Sequence, residues 1–142
     1  MDIKGTTVVH LAQYAAPYLG NFVKSLMCLE RRIAGAGGGM VYVFPPQARD
    51  CVWFEGFASE HEVSLIQPGK AGVAAIEAVI KKYKGNVLMH THFEGYDEAV
   101  GSLTVKKAKN TKIIGLQFGR INFCSYLCSN TRYCHSRVFA NL

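Results

Sequence analysis

The stretch TTVVHLAQYAAPYLGNF, Thr6 to Phe22, decides how the rest of the chain is read. Thr6, Thr7, Val8 and Val9 are β-branched and lead into Leu11, a composition that suits a buried strand. Pro17 and Gly20 interrupt the run, and a glycine can take positive φ and let another group approach the backbone. Asn21 is a favourable N-cap residue. After it Phe22, Leu26, Leu29 and Ile33 recur at spacings of 4, 3 and 4, one stripe of a helix. Arg31 and Arg32 complement the C-terminal end of that helix, and Gly35 can stop it. A strand feeding a helix through such a loop leaves backbone N–H groups open at the helix start, which suits an anion such as phosphate. Turn geometry alone also explains the loop, because no GxGxxG pattern accompanies Gly20.

The same grammar continues outward. Met40 to Phe44 reads as a second strand closed by Pro45-Pro46, and Val52, Trp53, Phe54 and Phe57 as a short helix lying on the sheet edge. Val63 to Ile66 is a short third strand. After Pro68-Gly69, the residues Val73, Ile76, Ile80 and Tyr83 form a second helical stripe, ending in Lys81, Lys82 and Lys84 with Gly85 as the stop. Val87 to Met89 begins a fourth strand that runs into His90-Thr91-His92-Phe93. Asp97 and Glu98 open the next helix, Lys106, Lys107 and Lys109 close it, and Thr111 to Phe118 is a fifth strand. Apolar strands alternating with amphipathic helices predict an α/β, Rossmann-like parallel sheet in a single domain, order 3-2-1-4-5, with helices on both faces. Ligands of such sheets bind beyond the C-terminal strand ends. Here that edge carries Gln13 to Asn21 and His90 to Tyr96. Beyond Gly119 no period continues. The chain therefore divides into a domain at 1–118 and an irregular, Cys-rich tail at 119–142, expected to pack poorly.

With 142 residues the chain is long enough for one real core. A net charge of +6 and a pI near 9.1 favour anionic partners. The lysine clusters fall at helix ends, where the helix dipole accounts for them, and no DNA- or RNA-binding motif is present, so nucleic acid is not an expected partner. No run of about 18 apolar residues suggests a membrane span, and no basic-then-apolar leader opens the chain. The expected location is the cytoplasm, where the five cysteines stay as thiols.

Chemistry concentrates at His90 and His92. Residues two apart on a strand point the same way, so both imidazoles can face one cleft as bases, donors or ligands; two hydrogen-bonded strand-end histidines is the plainer alternative. Glu94, Asp97 and Glu98 follow, able to orient an imidazole or bind sugar hydroxyls, although helix N-terminal charge complementarity explains Asp97 and Glu98. No metal is expected at the histidines, because the sequence places no third ligand there. Cys124, Cys128, Cys134 and His135 are zinc-capable types whose spacing matches no paired-knuckle pattern. His10 reads as a satisfied core histidine and His61 as a loop residue.

Taken together, VVHLAQYAAPYLGNFVKSL and NVLMHTHFEGYDEAV resemble the N-terminal half of bacterial nucleotide-sugar glycosyltransferases of the GT-B fold, family four. The resemblance runs over roughly Met1 to Phe118. It implies a domain that binds the acceptor, joined in relatives to a second Rossmann-like domain that binds the sugar nucleotide. It places Gly20 near the donor's phosphates, with Asn21 starting the helix aimed at the cleft, and His90, His92 and Glu94 on the acceptor side. The sugar nucleotide is a substrate, and no resident cofactor is implied. The acceptor is a glycan or lipid-linked sugar, with weak contact to the inner membrane face. Two departures stand out. The donor-binding domain does not follow in this chain. The strand after the HTHF phrase ends Leu116-Gln117-Phe118-Gly119, where relatives often carry a histidine. The resemblance therefore implies a chain inactive by itself. The alternative is a non-catalytic binding module that pairs with a separate donor-domain chain.

Overall fold

The computed structural model of the protein describes residues 3–105 and 117–118. Strand β1 (Thr6–Ala12) lies at the centre of the sheet. It pairs in parallel with β2 (Gly39–Phe44) on one side and with β4 (Asn86–His92) on the other. Strand β3 (Val63–Leu65) lies outside β2, and the two-residue β5 (Gln117–Phe118) lies outside β4. The order is β3-β2-β1-β4-β5 and every pair is parallel. This is the α/β, Rossmann-like class expected from the alternation of strands and helices. Of the expected fifth strand, only Gln117 and Phe118 fall among the described residues. The lysines at 106–109 and the tail at 119–142, with its cysteines, lie outside them.

Helices cover both faces. On one side α1 (Gly20–Gly35) and α2 (Phe54–Glu60) set Val23, Leu26, Ile33 and Phe57 against Val8, Met40, Tyr42, Phe44 and Leu88. On the other, α3 (Val73–Lys81) and α4 (Asp97–Val105) set Ile76, Ile80, Val100 and Leu103 against Val9, Val41, Val43, Val87 and Met89. Burial on both faces is why the central strands read as continuous apolar runs rather than as alternation.

Both boundaries of α1 differ from the sequence expectation, and α3 ends at Lys81, short of the expected stop at Gly85. Helix α1 starts at Gly20, whose φ of 56° makes the turn into it, and Leu19 occupies the N-cap with no side-chain cap bond. Asn21 is therefore inside the first turn rather than at the cap, and its carbonyl accepts the Ser25 hydroxyl at 2.9 Å. The stop is Gly37, not Gly35. At φ 79° Gly37 lets its own N–H reach the Ala34 carbonyl and the Gly38 N–H reach the Ile33 carbonyl, which closes the last turn.

Candidate functional site

Strand β4 brings the site to the C-terminal edge of the sheet. Its alternation turns Leu88, His90 and His92 toward the face covered by α1, and that of β1 turns Val8, His10 and Ala12 the same way. The parallel register sets His10 beside His90 and Ala12 beside His92. Adjacent strands lie about 4.8 Å apart, so the three imidazoles meet. Their ring centroids are 4.6 Å apart for His10–His90, 4.6 Å for His90–His92 and 5.0 Å for His10–His92. One ring nitrogen from each lies within 4.8 Å of the others. Phe22, in the first turn of α1, packs edge-on against His92 at 4.9 Å and reaches His10 at 6.2 Å. Tyr42 of β2 bounds the cluster on its far side, 6.4 Å from His10.

Burial grades outward through the three rings. His10 has no exposed surface, His90 is 6% exposed and His92 is half-buried at the rim. Neither ring nitrogen of His10 has a hydrogen-bond partner. The sequence expectation of a satisfied core histidine is thus corrected: the ring is in the core, among aromatic rings and two more imidazoles, and neither of its nitrogens is hydrogen-bonded to them. Desolvation holds all three below the ordinary histidine value, well below it for His10 and down to about 4 for His90. Neighbouring imidazoles push His10 and His90 further the same way, while the Asp97 carboxylate pulls His92 back up. At neutral pH the cluster is uncharged, and each ring keeps a lone pair able to accept a proton, a hydrogen bond or a metal.

The strand-end loops frame this cluster. The loop from β1 to α1 is held by the Trp53 indole N–H, which donates to the Ala16 carbonyl at 2.8 Å, and by the Tyr14 hydroxyl, which donates to the Tyr18 carbonyl at 3.0 Å. That Tyr14 hydroxyl lies directly against Gly20, where an added Cβ would sit 2.6 Å from it. After β4 the chain reverses through Phe93 at φ 65° and Glu94 at φ 53°, two successive non-glycine residues in the left-handed region. Such backbone costs energy and concentrates at functional sites. The reversal leaves the Phe93 ring 48% exposed, 4.9 Å from Phe22.

The expected site residues are not all assembled alike. His90 and His92 share one face and meet. Glu94 is on the exposed reversal, and the carboxylate that acts electrostatically on His92 is that of Asp97. Glu98 pairs with Lys70 at 3.2 Å, away from the imidazoles. Gly20 lies at the start of α1 with Phe22 two residues on, so its loop and the histidines border one edge. His61, read as a loop residue, follows the last turn of α2, with its Nδ1 2.7 Å from the Glu30 carboxylate that also accepts the Tyr42 hydroxyl at 2.8 Å. His10 is the residue that sequence reasoning left out. The signal was present in the expected strand order, which makes strands one and four neighbours and aligns their C-terminal ends.

No protein-family profile, curated protein or solved structure matches this chain. Among the described residues no helix is long and apolar enough to cross a membrane.

Proposed function

We propose that this chain is the acceptor-side domain of a sugar-nucleotide-dependent glycosyltransferase. The observation that carries the reading is the convergence at one sheet edge of the Gly20 loop with the neutral imidazoles of His90 and His92. Ligands of open parallel sheets bind beyond the carboxyl ends of the strands, and the central strands β1 and β4 end there. Half-buried His92 offers a hydrogen-bond acceptor to an incoming hydroxyl. The exposed rings of Phe93 and Tyr18, 48% and 70% accessible, offer apolar faces on which a sugar ring can stack. The open N–H groups of the first turn of α1 suit the diphosphate of the donor. In this reading the donor's base and ribose are held by a second Rossmann-like domain, supplied by another part of the enzyme or by a partner chain. The net charge of +6 agrees with an anionic donor and with acceptors carried on an anionic lipid surface.

The test is a titration of the isotope-labelled chain with UDP- and GDP-sugars and with soluble glycan acceptors, followed by amide and histidine-ring resonances. Sugar nucleotides are expected to move Gly20 and Asn21, and acceptors to move His92 and Glu94. Affinity is expected to be weak, with Kd about 1 mM, because half of the donor site is absent from this domain. Ligands that move no resonance at this edge at about tenfold that concentration would remove the reading.

A further inference from the structure

The third histidine of the cluster, His10, has no part in the sugar-transfer reading. Three uncharged imidazoles converge from two adjacent strands, with one nitrogen of each within 4.8 Å of the other two. The innermost, His10, has no exposed surface and leaves both ring nitrogens without a hydrogen-bond partner. A buried polar group left unpaired costs about 1–3 kcal/mol, and buried polar atoms are otherwise paired almost throughout folded proteins. The ring cannot turn to solvent, because β1 is the central strand and Phe22 and Tyr42 lie against it. A ligand between the three rings would engage one of those two nitrogens.

We propose that His10, His90 and His92 form a binding site for a divalent transition-metal cation of the zinc class. Neutral imidazole is the ordinary ligand of such ions, and three of them with an open fourth position is an established coordination set. In a tetrahedral site with Zn–N bonds of about 2.0–2.1 Å the ligand nitrogens sit about 3.3 Å apart. The three nitrogens, within 4.8 Å of one another, stand wider than that, so the ion would draw them together on binding. Hard cations that prefer oxygen are disfavoured, since the ligand atoms are all nitrogen. His92 is the most exposed of the three rings, with Phe22 packed edge-on against it at 4.9 Å. His90 and His92 are shared with the acceptor side of the transferase reading, whereas His10 has no part in it, and the metal site does not depend on that reading.

The experiment uses the full chain, stripped of metal with a chelator and titrated with Co2+ and then Zn2+. One Co2+ per chain is expected, with a ligand-field spectrum lacking a thiolate charge-transfer band, and displaced by Zn2+. The ring nitrogen resonances of His10, His90 and His92 should all move on Zn2+ addition to the unaltered chain. His92→Ala, at the half-buried rim, should weaken binding by at least about tenfold, while Cys28→Ser, the triple variant Cys124→Ser, Cys128→Ser and Cys134→Ser, and His61→Ala should bind as before. A thiolate band that disappears in the triple variant would assign the ion to the tail and overturn the proposal. So would histidine-ring resonances that stay in place at saturating Zn2+, the result expected of a purely structural cluster of stacked imidazoles. Neither outcome touches the sugar-nucleotide titration, which reads Gly20 and Asn21 on the metal-free chain.

Discussion

Tyr96 is a single side chain that ties the start of α4 to the end of β3. It is fully buried just before α4, and its hydroxyl donates to the Ile66 carbonyl at 2.8 Å, past the end of β3. Tyr96→Phe removes the donor and leaves that carbonyl unpaired, so it should cost about 1–2 kcal/mol in urea unfolding with no change in the slope. An unchanged midpoint would mean that water reaches Ile66. Two residues earlier the sign reverses. Glu94 holds a φ of 53°, where a side chain is strained and glycine is not. Glu94→Gly should therefore stabilise the fold, by about 0.5 kcal/mol after the added freedom of the unfolded chain is counted. A lower melting temperature for Glu94→Gly would show that its carboxylate, not its backbone, matters at the reversal. Neither residue's part could be read from the sequence. The sequence places Tyr96 only at the end of the strand edge His90 to Tyr96, and Glu94 beside the histidines, because a left-handed backbone and a hydrogen bond to a distant strand leave no mark on local pattern.

Among the elements, the connection from β3 to α3 shows how glycines of the same kind do opposite things. Gly72 is buried at the start of α3, and a Cβ there would run into the Gln67 carbonyl, a backbone atom that cannot swing aside. Gly69, with φ 76°, donates its N–H to the Gly95 carbonyl at 2.7 Å and so locks this connection to the loop after β4. Gly56 sits exposed within α2 with nothing near the place a Cβ would take. Gly72→Ala should cost about 2 kcal/mol or more, through overpacking against fixed backbone. Gly56→Ala should instead stabilise by about 0.5–1 kcal/mol, from helix propensity and reduced unfolded-state freedom. Paired thermal melts of the two variants check both. Equal shifts would mean that α2 frays in solution and that Gly72 has room to move. The stripes of α1 and α3 were legible because an apolar face repeats every three or four residues. The stops were not, since Gly35 and Gly37 differ only in which one takes positive φ.

At the scale of the whole molecule, the reading as an acceptor-side domain sets an expectation for activity. Transfer needs donor and acceptor held in register, and that orientation supplies much of the rate. On that reading a single Rossmann-like domain would grip the donor only through the first turn of α1 and leave the cleft open to water. The purified chain should give no product from UDP- or GDP-sugars, and addition of a donor-binding domain should be required. Turnover by the chain alone that is lost in His92→Ala would overturn that expectation and point to a self-sufficient catalyst. The net charge of +6 should also bring the protein to anionic vesicles at low salt and release it near physiological ionic strength, where screening acts over about 8–10 Å. Flotation with no bound protein even at low salt would remove the membrane contact.

The class of the sheet, the centrality of the first strand and the succession of elements were determined by the sequence alone. They rest on periodicity and on β-branched runs such as Thr6 to Val9, which are properties of neighbouring residues. The pairing of His90 with His92 was equally legible, because a strand alternates its faces. The third imidazole was not, since His10 joins them only through the lateral register of β1 against β4, a contact between segments far apart in the chain. Of Glu94, Asp97 and Glu98, all named by the sequence as able to orient an imidazole, the structure selects Asp97 as the one that bears on His92, while Glu94 lies on the exposed reversal after Phe93. Local pattern decides what each segment becomes. Only the packing of one segment on another decides which of its side chains meet, and the candidate site is made of such meetings.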